Sequence, residues 1–185
     1  MKKIIALVLA VWMVFSLTGC SENMTSAERF LLAVKQMDFT AMKNELIPET
    51  KLGSLYMKLD SGLSLEEESM RALCDLYALV RYSVGEITEE SGKEKTVEIT
   101  LKLPDMQRIR DQVKAKVMVS AETAEKIVGD MLADGTIEKT LIQESTFSVK
   151  MVKTDDGEWK IPYEENKNFA EALAIENMID FFIRY

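Results

Sequence analysis

Thr96-Val97-Glu98-Ile99-Thr100-Leu101-Lys102-Leu103 alternates strictly between polar and aliphatic residues. That period of two puts Val97, Ile99, Leu101 and Leu103 on one face and predicts a strand in a sheet with one wet side. Upstream, Ser91-Gly92-Lys93 turns the chain back into an earlier strand. There Tyr82 and Val84 alternate, Gly85 interrupts and Ile87 resumes out of phase, the pattern of a bulge. Downstream, Leu141, Phe147, Val149 and Met151 face inward along a long strand. Thr154-Asp155-Asp156-Gly157 then makes a hairpin turn, and Trp159 and Ile161 return on the matching face of a second long strand. Two hairpins give an antiparallel sheet of about four strands.

Helical spacing surrounds the hairpins. Thr25-Ser26-Ala27-Glu28 is a capping box, followed by Ala27, Phe30, Leu31, Val34 and Met37 on one face. After Asp38 a short helix runs through Phe39, Met42 and Leu46 to Pro48. Thr50 to Ser64 reads as a linker with Gly53 and Gly62, and Ser64 with Glu67 makes a second capping box whose helix buries Leu65, Leu73, Leu76, Tyr77 and Val80. Pro104 opens a helical insertion over 104–135. Its basic helix bears Arg108, Arg110, Lys114 and Lys116, and its second helix takes Ser120 as N-cap, buries Ala124, Ile127, Val128 and Met131, and ends at Gly135. One closing helix from about Asn168 carries Phe169, Ala172, Leu173, Ile179, Phe182 and Ile183 inward. The order of helices, hairpin, helices, hairpin and helix predicts an α+β domain with a curved antiparallel sheet.

The chain has 185 residues, 47% hydrophobic and 29% charged, which suits one globular domain. Its formal charge is −8, and losing Lys2 and Lys3 makes it more negative, so nucleic acid is not an expected partner. There is no His, which excludes His-based triads, the HExxH zinc site and any imidazole base.

Met1-Lys2-Lys3 followed by the apolar run Ile4 to Leu17 has the build of a signal peptide, being shorter than the ~20 residues of a spanning helix. It closes on Leu17-Thr18-Gly19-Cys20, which resembles the bacterial lipobox. The resemblance implies cleavage before Cys20, a lipid on its thiol, and a bacterial membrane holding the domain on its extracytoplasmic face. The alternatives are an uncleaved anchor or a cleaved peptide without lipid. Residues 1–19 are thus expected to be signal, 20–24 lipid site and short tether, and 25–185 the domain. With Cys20 lipidated, Cys74 is the remaining thiol, and its apolar helical setting points to a buried, inert residue.

Three features resemble small bacterial lipoproteins of the nuclear-transport-factor-two-like superfamily, which also holds cystatin-like and ketosteroid-isomerase-like folds. They are the opening helix pair Ala27 to Phe39 with Asp38 at the break, the strand Thr96 to Leu103 followed by Pro104-Asp105, and Asp156-Gly157-Glu158-Trp159-Lys160-Ile161 followed by Phe169. The resemblance implies a sheet wrapped around a long helix, a cone whose open end can be a pocket. The chain's helical insertion departs from the minimal family domain. The pocket His or Asp of the family's enzymes has no match here, so no activity carries over.

Tyr77, Tyr82, Phe147 and Trp159 are the candidate lining of such a pocket, with Trp159 also suited to plug the concave face. Asp130, Asp134 and Gly135 fit part of a calcium loop, but Leu132 and Leu141 stand at ligand places, and a capped helix end explains them without a metal. Asp155-Asp156-Gly157 is turn chemistry. No metal, cofactor or catalytic residue is expected. The basic cluster is interleaved with Asp105 and Asp111, as on an ordinary charged face; anionic lipid head groups are its alternative ligand. The expectation is a non-catalytic lipoprotein domain that binds a protein or cell-envelope partner; the alternative is a small-molecule pocket in the same fold.

Overall fold

A computed structural model describes residues 24–48, 55–62, 65–120 and 122–184, and only the backbone of 88–90. The signal segment, Leu17, Thr18, Gly19 and Cys20, and also Ser64, lie outside the described residues. No helix among those described is long and apolar enough to cross a membrane.

The sheet is built as the alternation requires. Strands β1 (Arg81–Ser91), β2 (Glu94–Pro104), β3 (Ile142–Lys153) and β4 (Trp159–Lys160) lie in that order, each antiparallel to its neighbour. Val97, Ile99, Leu101 and Leu103 are fully buried. Val84 pairs with Ile99 but Ile87 with Val97, so three steps on β1 match two on β2, the predicted bulge around Gly85.

Helix α1 (Ser26–Gln36) starts on the predicted capping box, with Thr25 and Glu28 each bonded to the other's backbone. It ends at Met37 in the left-handed region, and Asp38 caps α2 (Phe39–Glu45). Part of the expected linker is a short helix, α3 (Leu55–Asp60), whose Leu55 and Leu59 enter the core. Helix α4 (Glu67–Ala78) has Glu66 at its N-cap and packs on α1 and β2. Its Leu73, Leu76 and Tyr77 are buried.

Several expected boundaries move. Pro104 closes β2, and Asp105 opens α5 (Met106–Val117) by accepting from the Arg108 amide at 3.0 Å. Thr123, not Ser120, caps α6 (Ala124–Ala133); Ser120 instead accepts from Glu122 in the loop. Gly135 follows α6 at φ 72°, a conformation suited to glycine, and the chain then adds a turn of helix, α7 (Thr136–Thr140). The single closing helix is two, α8 (Lys167–Leu173) and α9 (Ile175–Arg184), broken at Ala174 with φ 50°. The break leaves the Leu173 carbonyl free of its helix, and the buried Tyr77 hydroxyl donates to it at 2.7 Å. Ile183, expected inside, is 56% exposed.

The second long strand is the largest correction. β4 pairs with β3 at Lys153 and Val152 only. The Ile161 amide donates to Glu45 O at 2.9 Å and its carbonyl accepts from the Ile47 amide at 3.0 Å, a parallel bridge to the chain leaving α2. Ile161 is thereby buried against the helix pair and drawn off β3.

Candidate functional site

Where β4 departs, no other strand among the described residues takes its place on the edge of β3. Continuing the register would set Pro162 opposite Lys150, and proline has no N–H to offer a ladder. Asn166 takes that place. Its Oδ1 accepts from the Lys150 amide at 2.8 Å, and its Nδ2 donates to Lys150 O at 3.1 Å and to Pro162 O at 3.0 Å. Asn166 is also the N-cap residue of α8, yet its side chain makes no cap bond there.

Beyond Asn166 lies a cleft of about 400 Å³ between β3 and the 3₁₀ turn Tyr163–Glu165 with the start of α8. Thr146, Phe147 and Ser148 form its strand wall; Glu165, Asn166, Lys167, Asn168 and Phe169 form the other. Phe147 meets Phe169 edge-on, with centroids 5.9 Å apart. Lys150 Nζ joins Glu94 at 2.8 Å and Glu165 at 3.3 Å, and these bonds raise its pKa. The cleft thus has an apolar floor, a paired charged rim and a strand edge.

Of the four predicted lining residues, only Phe147 lines this cleft. Register sets Tyr82 opposite Leu101, Phe147 opposite Ile99 and Trp159 opposite Lys153, which puts all three on the helix-facing side of the sheet with the buried Val97 and Met151. Tyr77 faces them from α4 as a fully buried residue, and burial pushes its hydroxyl pKa well up. Tyr82 is half-buried, and burial, then the Glu28 carboxylate, raises its pKa. Trp159 is half-buried under Lys95 Nζ, 4.1 Å from its ring centroid, with Lys153 at 5.7 Å, and its carbonyl accepts from the Ser26 hydroxyl. Phe169 from the closing segment reaches both Phe147 and Phe30, so aromatic side chains occupy the space between sheet and helices.

The remaining candidates have structural tasks. Asp134 accepts from the Thr136 amide at 2.8 Å, and Asp130 pairs with Lys126. Asp156 accepts from Thr154 and from the Glu158 amide in the hairpin turn. Cys74 is partly buried, and burial, then Asp75, pushes its thiol pKa up. Asn166 escaped the sequence reading; Pro162, which ends the ladder, was the signal that another group must serve Lys150.

No family model and no curated protein matches the chain. Among solved structures it is similar to a "putative lipoprotein" of Bacillus subtilis subsp. subtilis str. 168, at 22% identity over 57% of this chain, with a TM-score of 0.35. The match spans 36% of that longer chain. It is also similar to a ketosteroid isomerase-like protein of Erwinia carotovora atroseptica SCRI1043, at 11% identity, covering 74% of this chain and 85% of that one, with a TM-score of 0.36.

Proposed function

We propose that this chain is a lipid-anchored, extracytoplasmic and non-catalytic domain that binds a protein or another component of the cell envelope. The observation that carries the anchor is the apolar run ending in Leu17-Thr18-Gly19-Cys20, set a few residues before the folded domain opens on the Thr25 capping box. So short a tether holds the domain close to the bilayer that its lipid enters.

The binding role draws support from the chemistry of the side chains. No imidazole exists to serve as a base. Burial, then Asp75, raises the Cys74 thiol pKa, the opposite of what an activated nucleophile needs, and the Tyr77 hydroxyl is spent on the Leu173 carbonyl. The aromatic filling between sheet and helices favours a surface that meets a partner over an enclosed small-molecule pocket.

Fractionation of cells expressing the wild type and Cys20→Ala tests the anchor. Wild type is expected with the membranes and releasable by detergent, and Cys20→Ala in the soluble extracytoplasmic fraction. Equal membrane retention of both would overturn the reading.

A further inference from the structure

We propose that the open edge of β3 beside Asn166 captures an extended peptide segment, which adds to the sheet as a strand from Glu144 to Ser148. This rests on the binding-domain reading above and names the kind of partner.

The argument starts from which backbone groups face outward. In an antiparallel strand, alternate residues bond to one neighbour and then to the other. The Lys153 amide bonds to Lys93 O, toward β2, whereas Lys150 is bonded by Asn166 on the opposite side and Val152 pairs with β4 there. Parity then turns the N–H and C=O groups of Ser148, Thr146 and Glu144 away from β2. Among the described residues no hydrogen bond reaches them on that side. They form a donor and acceptor row repeating every ~7 Å, which an extended backbone matches and a compact solute does not.

Asn166 shows that the edge can be completed by such groups, since its amide presents one acceptor and one donor where a paired strand residue would. It also sets where an incoming strand must stop. The cleft specifies alternation in that strand. Side chains on the helix-facing side would meet Phe147 and Phe169, and those on the other side would lie beside Thr146 and Ser148 on the wet face. With the Lys150 charge already paired to Glu94 and Glu165, an apolar-polar alternating peptide fits better than a highly charged one.

The test uses the full chain in mild detergent and a panel of acetylated, amidated heptapeptides. Thr and Ser alternate with Val, Ile, Leu, Phe or Tyr, and each peptide has a twin N-methylated at alternate residues. Amide hydrogen exchange of residues 142–149 is followed. At least one unmodified peptide is expected to slow exchange of the outward Glu144, Thr146 and Ser148 amides roughly tenfold, as each gains a bond that must open before exchange, while its twin does not. Thr146→Pro removes one outward N–H and leaves the backbone bonds to β2 intact, though it also loses the exposed hydroxyl bond between Thr146 and Thr100. It should abolish protection with a small change in melting temperature, and Thr146→Val, which loses that hydroxyl bond but keeps the N–H, should retain protection. No protection by any peptide, equal protection by the twins, or protection that follows protein concentration alone, meaning a second copy on the edge, would each overturn the proposal. The Cys20→Ala fractionation is read separately, so failure at the edge and failure of the anchor are distinguishable.

Discussion

Asn166 holds both backbone groups of Lys150, with its amide oxygen 2.8 Å from the Lys150 nitrogen and its amide nitrogen 3.1 Å from the Lys150 oxygen. One side chain thus does the work of a strand residue at the point where β4 has turned away to bond with Glu45 and Ile47. The sheet stays in register at Lys150 without covering the edge beyond it.

Asn166→Ala should therefore destabilise the fold out of proportion to the atoms removed. Asn166 is 8% exposed, and truncation strips its bonds from the Lys150 amide and carbonyl, while the Pro162 carbonyl keeps the Glu165 amide as a donor. The expected loss is about 1–3 kcal/mol, because buried groups left unpaired lose their bonds without regaining full hydration. Urea denaturation at neutral pH checks it; a loss below the error of the method would mean that water replaces the side chain.

Phe169 is 2% exposed and touches Phe30 and Phe147. Phe169→Ala should cost about 3–5 kcal/mol by combining lost transfer energy with a cavity. A double-mutant cycle with Phe147→Ala should show coupling of about 0.5–1.5 kcal/mol from the edge-on contact. Additive losses in thermal or chemical unfolding would deny that contact.

Most of the fold was legible where one period ruled a whole segment. Val97 to Leu103, the bulge at Gly85 and the α1 capping box are local patterns, and the structure keeps them. What the sequence hid depends on partners distant in the chain. Ala174 carries no glycine or proline signal, and the helix break there is supported by the Tyr77 hydroxyl, which comes from α4. Ile161 alternates correctly for β4, yet the backbone leaving α2 competes for its bonds and wins. The edge site was hidden for the same reason, although Pro162 marked where the ladder had to fail. Aromatic residues suited to a pocket are also suited to core, and only packing told Tyr77 from Phe147.

The Arg29 guanidinium grips Glu45 with Nε at 2.7 Å and Nη2 at 2.9 Å, and that bond raises the Arg29 pKa. It ties α1 to the end of α2, beside the bridge that holds Ile161. Glu45→Gln keeps the shape but loses the charge, for an expected cost of about 1 kcal/mol, modest because the Arg29 side chain is 44% exposed and water screens the pair. The loss should shrink further in high salt. Unfolding curves of both proteins at low and high salt measure this; equal stabilities at low salt would contradict it.

Cys74 should react slowly with a neutral-pH thiol reagent in the folded protein, since burial and then Asp75 raise its pKa and leave little thiolate. Denaturant should restore the rate of an ordinary cysteine. Asp75→Asn should speed the folded reaction modestly by removing one of the two causes. A folded rate equal to the denatured one would show that the thiol is neither shielded nor depressed in reactivity.

Asp134 gives the acid dependence its sign. The bonds from Thr136 hold its carboxyl below the ordinary value, with Lys116 and Lys139 adding a smaller pull. A carboxyl that binds its proton more weakly folded than unfolded stabilises the native state above the unfolded value of 3.8, and that contribution is lost as pH falls through the lowered folded value. Asp134→Asn should accordingly flatten the fall in stability below about pH 4 while the remaining carboxylates preserve the rest. Carbon NMR titration of the Asp134 carboxyl reads the shift directly, and urea midpoints from pH 7 down to pH 3 for both proteins read its consequence. Parallel midpoint curves would mean that Asp134 titrates alike folded and unfolded, and that the Thr136 amide is served by solvent.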